Sequence, residues 1–199
     1  IPSDGHAVTV DGSVVLSNTP AVLSSFNVVA GRTLTFTNGS FWLAAAAVTV
    51  GGTITHTPNS DTNGADGWVP DARVNILCTN LTIDPGGSIH ANGKGFAGGI
   101  AGHLDGNGTG GGKGTTIRGG GGGGHGGTGG VGYDNWAPRY DWAGPAYDDE
   151  AGPWQPGSGG GCGMNGTGAG NTGGAGGGAI RIQVNGVATV NGTITANGL

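Results

Sequence analysis

The sequence predicts an all-β chain: a parallel β-helix, or solenoid-like stack, with rungs of about 20 residues and a glycine-rich insert. Three observations lead there. Short runs alternate apolar residues with Thr, Ser or Asn, the runs recur at an offset of 20, and 37 of the 50 glycines fall between Gly93 and Gly178. Fifty glycines and nine prolines in 199 residues exclude an ordinary helical protein.

The repeat is clearest in the first third. Val8-Thr-Val-Asp-Gly-Ser-Val14, Val28-Val-Ala-Gly-Arg-Thr-Leu34 and Val48-Thr-Val-Gly-Gly-Thr-Ile54 align with the columns Val8/Val28/Val48, Val10/Ala30/Val50, Val14/Leu34/Ile54 and Leu16/Phe36/His56. Period-2 alternation is the mark of a strand with one buried face. Asn18, Asn38 and Asn59 mark a recurring turn. A unit this short cannot bury its apolar face alone, so successive repeats must stack. An antiparallel sandwich also spaces strands closely, but matched columns favour the stack. Further rung strands are expected at 73–78 and 179–184. The rungs Leu81–Gly93 and Ala188–Gly198 share the ending Ile-x-Ala-Asn-Gly, as if equivalent and separated by an excursion. The expected organisation is rungs over 1–93 with a loop insertion near 57–72, the insert over 94–178, and returning rungs over 179–199 that belong with 1–93.

Within the insert, Gly119–Val131 places His125, Thr128 and Val131 three residues apart, and Ala169, Thr172 and Ala175 repeat that spacing. Three residues per turn is the period of a polyproline-II-type helix, here of glycine, whose N–H and C=O groups must be satisfied by neighbouring segments. A flexible linker is the competing reading.

The motifs Gly-Ser-Ile-x-Ala-Asn-Gly, Pro156-Gly-Ser-Gly-Gly-Gly161 and Gly-Gly-Gly-Ala-Ile-Arg-Ile, with the long Gly runs, resemble Gly-rich modules in large secreted and surface proteins of environmental microbes. The poly-Gly segment is similar to the polyglycine helix bundles of some phage tail adhesins and of receptor glycine-rich domains. The resemblance covers about 81–199 and implies an extracellular scaffold or adhesive module without a catalytic motif.

Side-chain chemistry concentrates at 133–154. Tyr133, Tyr140 and Tyr147 lie seven apart, with Trp136, Trp142 and Trp154 between or beside them, so six of the twelve aromatic residues sit there. Asp134, Arg139 and Asp141 are interleaved. These rings suit stacking on a polysaccharide, contact with another subunit, or capping of a poly-Gly bundle that has few side chains of its own. Asp148, Asp149 and Glu150 offer carboxylates of the kind Ca²⁺ takes, yet no Asp-x-Asp-x-Asp-Gly loop is present. Asp61-Thr-Asn-Gly-Ala-Asp66-Gly lacks the terminal Glu of such a loop, and a solvated acidic turn is preferred in both places. No cofactor is expected.

His6, His56, His90, His103 and His125 have no metal-ligand spacing, and His56 occupies an apolar column. Gly-Lys113-Gly-Thr-Thr lacks the phosphate-loop order, and the surroundings of Ser158 lack that of a nucleophile elbow. Polysaccharide-active β-helices need carboxylates clustered across adjacent rungs; the rung faces here carry Thr, Ser and Asn, so no enzymatic activity is expected.

Seven Lys and Arg against twelve Asp and Glu give no basic footprint for nucleic acid. No apolar run approaches the roughly 20 residues needed to span a bilayer. Cys78 and Cys162 are compatible with one disulfide or with two free thiols. Asn38, Asn80, Asn107, Asn165 and Asn191 stand in glycosylation sequons. The chain begins at Ile1 rather than Met, which suggests a removed leader or an excised piece, and either way a location outside the cell or on its surface. Strand-like sequence occupies both ends without polar caps. The expected function is therefore a secreted subunit that assembles with itself, head to tail, through Val8, Val10, Val14, Val190 and Ile194. The alternative is an adhesin or polysaccharide-binding module of a larger surface protein.

Overall fold

Alternating Val, Ile, Phe and Thr favour extended backbone with one face turned inward, and the regular secondary structure of the described residues is almost wholly strand. A computed structural model describes residues 5–16, 22–116, 118–134, 137–149, 151–164 and 170–199. The strands are β1 (Ala7–Val10), β2 (Val14–Leu16), β3 (Leu23–Val28), β4 (Thr33–Phe36), β5 (Leu43–Val50), β6 (Thr53–His56), β7 (Val74–Ile83) and β8 (Ser88–His90). There follow β9 (Gly132–Tyr133), β10 (Pro138–Arg139), β11 (Gly163–Met164), β12 (Gly170–Asn171), β13 (Ile180–Val184), β14 (Ala188–Val190) and β15 (Thr193–Thr195). A 3-10 turn covers Tyr140–Trp142. Among the described residues no helix is long and apolar enough to cross a membrane.

Two compact units form. The first comprises Ile1–Thr57, Ala72–Ala91 and Ile180–Thr195; the second comprises Pro58–Asp71, Asn92–Ala179 and Ala196–Leu199. The first holds two parallel sheets. One runs β1-β3-β5-β7-β13, with β14 also on β7, and the other runs β15-β8-β6-β4-β2. Val10, Val28, Val50, Ile83 and Val190 follow one another across the first sheet. Val14, Leu34, Ile54, Ile89 and Ile194 do so across the second. Apart from the exposed Val190 and Ile194, these columns join Phe26, Phe36, Phe41, Leu43, Ile76 and Leu81 in one apolar core. The two segments ending in Ile-x-Ala-Asn-Gly are direct neighbours, with Ile194 opposite Ile89. Outward positions carry hydroxyls and amides, as in the column Thr9, Asn27, Thr49, Thr82 and Thr189.

The period of 20 holds in the second sheet, where Val14, Leu34 and Ile54 are partners. In the first sheet it does not. Val8 lies opposite Phe26 rather than Val28, and Phe26 opposite Val48, so the offset is 18 and then 22. The corner between the sheets explains this. Three residues separate Val10 from Val14 and Val50 from Ile54, but five separate Val28 from Leu34. The longer corner pulls β3 back by two residues, which preserves the inward face because side chains alternate with period 2. Ala30 accordingly falls in the corner, outside any column.

The second unit is held by backbone. Around Gly157–Cys162 the hydrogen-bond partners recur every third residue. Phe96 and Gly99 donate to the carbonyls of Gly157 and Gly160; Gly112 and Thr115 donate to those of Gly159 and Cys162. Gly157 and Gly160 donate in turn to Gly177 and Gly174, and Gly161 donates to Gly121. Segments packed this closely leave no room for a Cβ. A methyl at Gly159 would overlap the carbonyl of Ala97, one at Gly161 that of Lys113, and one at Gly173 that of Gly160. The few large side chains lie on glycine: Phe96 is buried against Gly108, and Trp68 meets Phe96 edge-on with ring centroids 5.4 Å apart.

No disulfide forms. Cys78 is buried in the core of the first unit and Cys162 in the central segment of the second, both as free thiols. Burial in apolar surroundings pushes the Cys78 thiol above its ordinary pKa.

Gly159→Ala is expected to lower stability by about 2–3 kcal/mol, because a Cβ there meets fixed backbone. Gly127→Ala, where a Cβ meets nothing within 4 Å, should change stability by no more than about 0.5 kcal/mol. Thermal melts of the two variants make the comparison. In the native protein, Cys78 should resist a thiol reagent that labels it promptly after denaturation.

Candidate functional site

The aromatic and acidic stretch is shaped by a short hairpin. β9 and β10 pair antiparallel, with Pro138 opposite Tyr133, and the 3-10 turn comes directly after β10. Asp134 Oδ1 accepts the Ala137 N–H at 2.9 Å and closes the loop between the strands. Arg139 ties the hairpin to the 3-10 turn. Its Nε and Nη2 donate to the two oxygens of Asp141 at 3.0 and 2.9 Å, Nη1 donates to Asp134 at 3.2 Å, and the guanidinium lies 4.7 Å from the centre of the Trp142 ring. The Arg139 hydrogen bonds hold the Asp141 carboxyl below its usual pKa. All these polar groups are spent on one another, so Arg139 is a brace for the hairpin.

Trp142 and Tyr147 cover glycine. A Cβ on Gly132 would strike the Trp142 ring, and one on Gly110 would strike the Tyr147 ring. Tyr147 also meets His125 at a tilt of 53° with ring centroids 5.1 Å apart, and its hydroxyl donates to the Pro156 carbonyl. Tyr133, Tyr140 and Trp154 differ: each is about half or more exposed, Tyr140 most of all at 75%. The seven-residue spacing of the tyrosines therefore divides one inward ring, Tyr147, from two outward ones. Trp136 lies outside the described residues.

Asp148 is the most constrained acid. Its side chain is 3% exposed, its φ is 69°, and Oδ2 accepts the N–H groups of Trp154 and Gln155 at 2.8 and 2.7 Å. Oδ1 accepts the Asp149 N–H at 3.0 Å, and His125 Nε2 is 3.2 Å from Oδ2. Burial works against its charge, yet the donors from Gln155, Trp154, Asp149 and His125 outweigh it and hold the pKa below the ordinary value. Asp148 thus ties the 147–155 loop together, and its oxygens are occupied without a metal. Glu150 lies outside the described residues. Among the described residues no three His, Cys, Asp or Glu side chains converge on a common point.

The residues expected at assembly ends fall on edge strands. Within the described residues β1 and β2 pair only with β3 and β4, while β14 and β15 pair only with β7 and β8. Val8, Val190 and Ile194 are 38%, 48% and 43% exposed. Val10, expected at an open face, is instead buried at 3%, because its side chain turns into the core beside Val28. Val14 is half-buried. Of the sequon asparagines, Asn38, Asn80 and Asn191 are exposed, Asn107 is buried, and Asn165 lies outside the described residues.

Sequence reasoning missed the Asp148–His125 contact and the packing of rings onto single glycines. The first joins residues 23 apart, with no spacing to advertise it. The second left a trace, since Gly110, Gly132 and the covering aromatics lie in one compositionally unusual stretch. Compared with protein-family models, curated proteins and solved structures, the chain matches none.

A depressed carboxylate pKa adds stability that is complete above the unfolded-state value and is lost as pH falls through the folded-state one. The hold of Asp148 on its loop should therefore be full at pH 5 and above and fade below about pH 3.8, the ordinary Asp value. Trp154 fluorescence followed from pH 6 to pH 2 should change in that acid range, and Asp148→Asn should shift or abolish the transition.

Proposed function

We propose that the chain is a structural subunit of an extracellular filament or surface fibre, assembling with itself through the edges of its parallel sheets. On this reading the two sheets are faces of a β-solenoid in which each rung is one β-strand, a corner and a second strand. The glycine-rich unit is a bundle of polyglycine-II-type helices. The threefold recurrence of hydrogen-bond partners along Gly157–Cys162 supports the second point. The common register of both sheets, with a corner between them at every step, supports the first.

The observation that carries the functional reading is the pair of edges. An edge strand presents a row of N–H and C=O groups ready to pair, and proteins that stay monomeric blunt such edges with charge, Pro or bulges. β1 and β14 instead read Ala-Val-Thr-Val and Ala-Thr-Val, and Val8, Val190 and Ile194 are exposed on them or beside them. A contact that joins two different edges of the same molecule does not close on itself and extends into a fibre. The extracellular setting is what the resemblance to Gly-rich modules of secreted proteins implies.

A second reading, polysaccharide binding, is favoured by one observation: Tyr133, Tyr140 and Trp154 are each about half or more exposed, whereas Trp142 and Tyr147 cover glycine. The two readings separate experimentally. Negative-stain microscopy of concentrated protein should show filaments, and Val190→Asp or Ile194→Asp should abolish them with the circular dichroism spectrum unchanged. Tyr140→Ala and Trp154→Ala should leave the filaments intact. Dispersed monomers at every concentration, with glycan-array binding that depends on Tyr140 and Trp154, would overturn the filament reading in favour of the second.

A further inference from the structure

The corners of the first unit alternate in length. Between the inward-facing columns of the two sheets lie three residues at Asp11-Gly12-Ser13, Gly51-Gly52-Thr53 and Asn191-Gly192-Thr193, and five at Val29–Thr33 and Asp84–Ser88. Every three-residue corner has Gly in its centre. For two of them the structure gives the reason. A Cβ on Gly52 would overlap the carbonyls of Val29 and Arg32 in the preceding corner, and a Cβ on Gly192 would press on those of Asp84 and Gly87. Val29 and Asp84 open their corners, and Arg32 and Gly87 are the fourth residues, so both glycines rest on the same two places one rung back. The fourth place is Arg32 in one five-residue corner and Gly87 in the other, where a Cβ would itself overlap the Val50 carbonyl.

Gly12 is the exception. Its φ lies outside the left-handed region, and a Cβ there would meet nothing within 4 Å. Among the described residues neither conformation nor space calls for glycine there. On the side facing away from β3 and β4, the side on which Gly52 and Gly192 meet the preceding corner, the described residues place nothing within 4 Å of that Cβ.

The opposite edge supplies a matching surface. Thr9-Val-Asp-Gly-Ser-Val14 and Thr189-Val-Asn-Gly-Thr-Ile194 correspond residue for residue. Both corners are of the short kind, so a single offset brings Val10 onto Val190 and Val14 onto Ile194 together. A five-residue corner at either edge would have displaced one sheet by two residues, as it does between β1 and β3. All strands of both sheets run parallel, so a further strand added at the edge continues the ladders.

We propose that β1 and β2 of one molecule receive β14 and β15 of a second copy in this register, Val10 beside Val190 and Val14 beside Ile194, with Gly12 seated on the Asn191–Thr193 corner. The inference rests on the filament reading and specifies its interface. Thr9 and Thr189 then become outward neighbours on adjacent strands, about 4.8 Å apart, within the roughly 4.4–6.8 Å that a disulfide spans. Ala7 and Thr189, two residues out of register, would be about 8 Å apart and out of reach.

Two full-length variants test this. Thr9→Cys/Thr189→Cys filaments, oxidised and run on a denaturing gel, should give a ladder of oligomers that reductant collapses, and Ala7→Cys/Thr189→Cys should give none. Gly12→Val should melt like the wild type, since a Cβ there meets no described residue within 4 Å, and should fail to form filaments. Filaments that cross-link through the Ala7 pair, or that form normally with Gly12→Val, would overturn this register while leaving the filament reading in place. Wild-type protein that never forms oligomers would overturn both.

Discussion

Direct backbone-to-backbone hydrogen bonding, made possible where side chains are absent or turned aside, is the interaction on which the rest of the structure depends. A buried N–H or C=O left unpaired costs about 1–3 kcal/mol, and a glycine-rich segment has almost no side-chain burial to offset that. The second unit meets the constraint by making each segment the hydrogen-bond partner of several others. Gly157, Gly159, Gly160 and Gly161 donate to three different stretches of chain: Gly157 and Gly160 to Gly177 and Gly174, Gly159 to Asn107, and Gly161 to Gly121. Such closeness demands glycine at Gly159 and Gly161, where a Cβ would occupy the place of the Ala97 or Lys113 carbonyl. The first unit solves the same problem with parallel ladders and adds an aliphatic core.

The two solutions leave different traces in sequence. Alternation of apolar and polar residues survives as a pattern, which is why strands at 73–78 and 179–184, the kinship of the Ile89 and Ile194 segments, and the column Leu16, Phe36 and His56 are legible without coordinates; that the first strand runs on unbroken through Leu81 to Ile83 is not. Corner length is not legible from a fixed period. Offsets of 18 and 22 average to 20, and only the pairing of Val8 with Phe26 reveals the alternation. In the glycine-rich part, the spacing of His125, Thr128 and Val131 announces a threefold period, but which segments meet is not written in residues that have no side chains.

The aromatic stretch is visible in the sequence as a concentration of rings, and its division of labour is not. Trp142 and Tyr147 go inward because glycine offers a flat seat for a ring, and Arg139 and Asp148 are taken up in holding the loops that carry them. The rings left facing solvent are Tyr133, Tyr140 and Trp154. The chemistry that looked most like a binding site, an arginine and a buried aspartate among aromatics, proves to be the frame. Among the described residues the outer strands of both parallel sheets pair on one side only, and the self-association proposed for them would extend the same ladder that joins strand to strand within the molecule.

If backbone bonding alone orders the glycine-rich unit, its amides must be protected like those of a core strand. Hydrogen exchange resolved to single residues measures this directly. The account predicts that the amides of Gly157, Gly159, Gly160 and Gly161 exchange as slowly as those of Ile54 and Ile76 in the apolar core. Exchange of these glycines at the rate of an open chain, with Ile54 and Ile76 still protected, would contradict it.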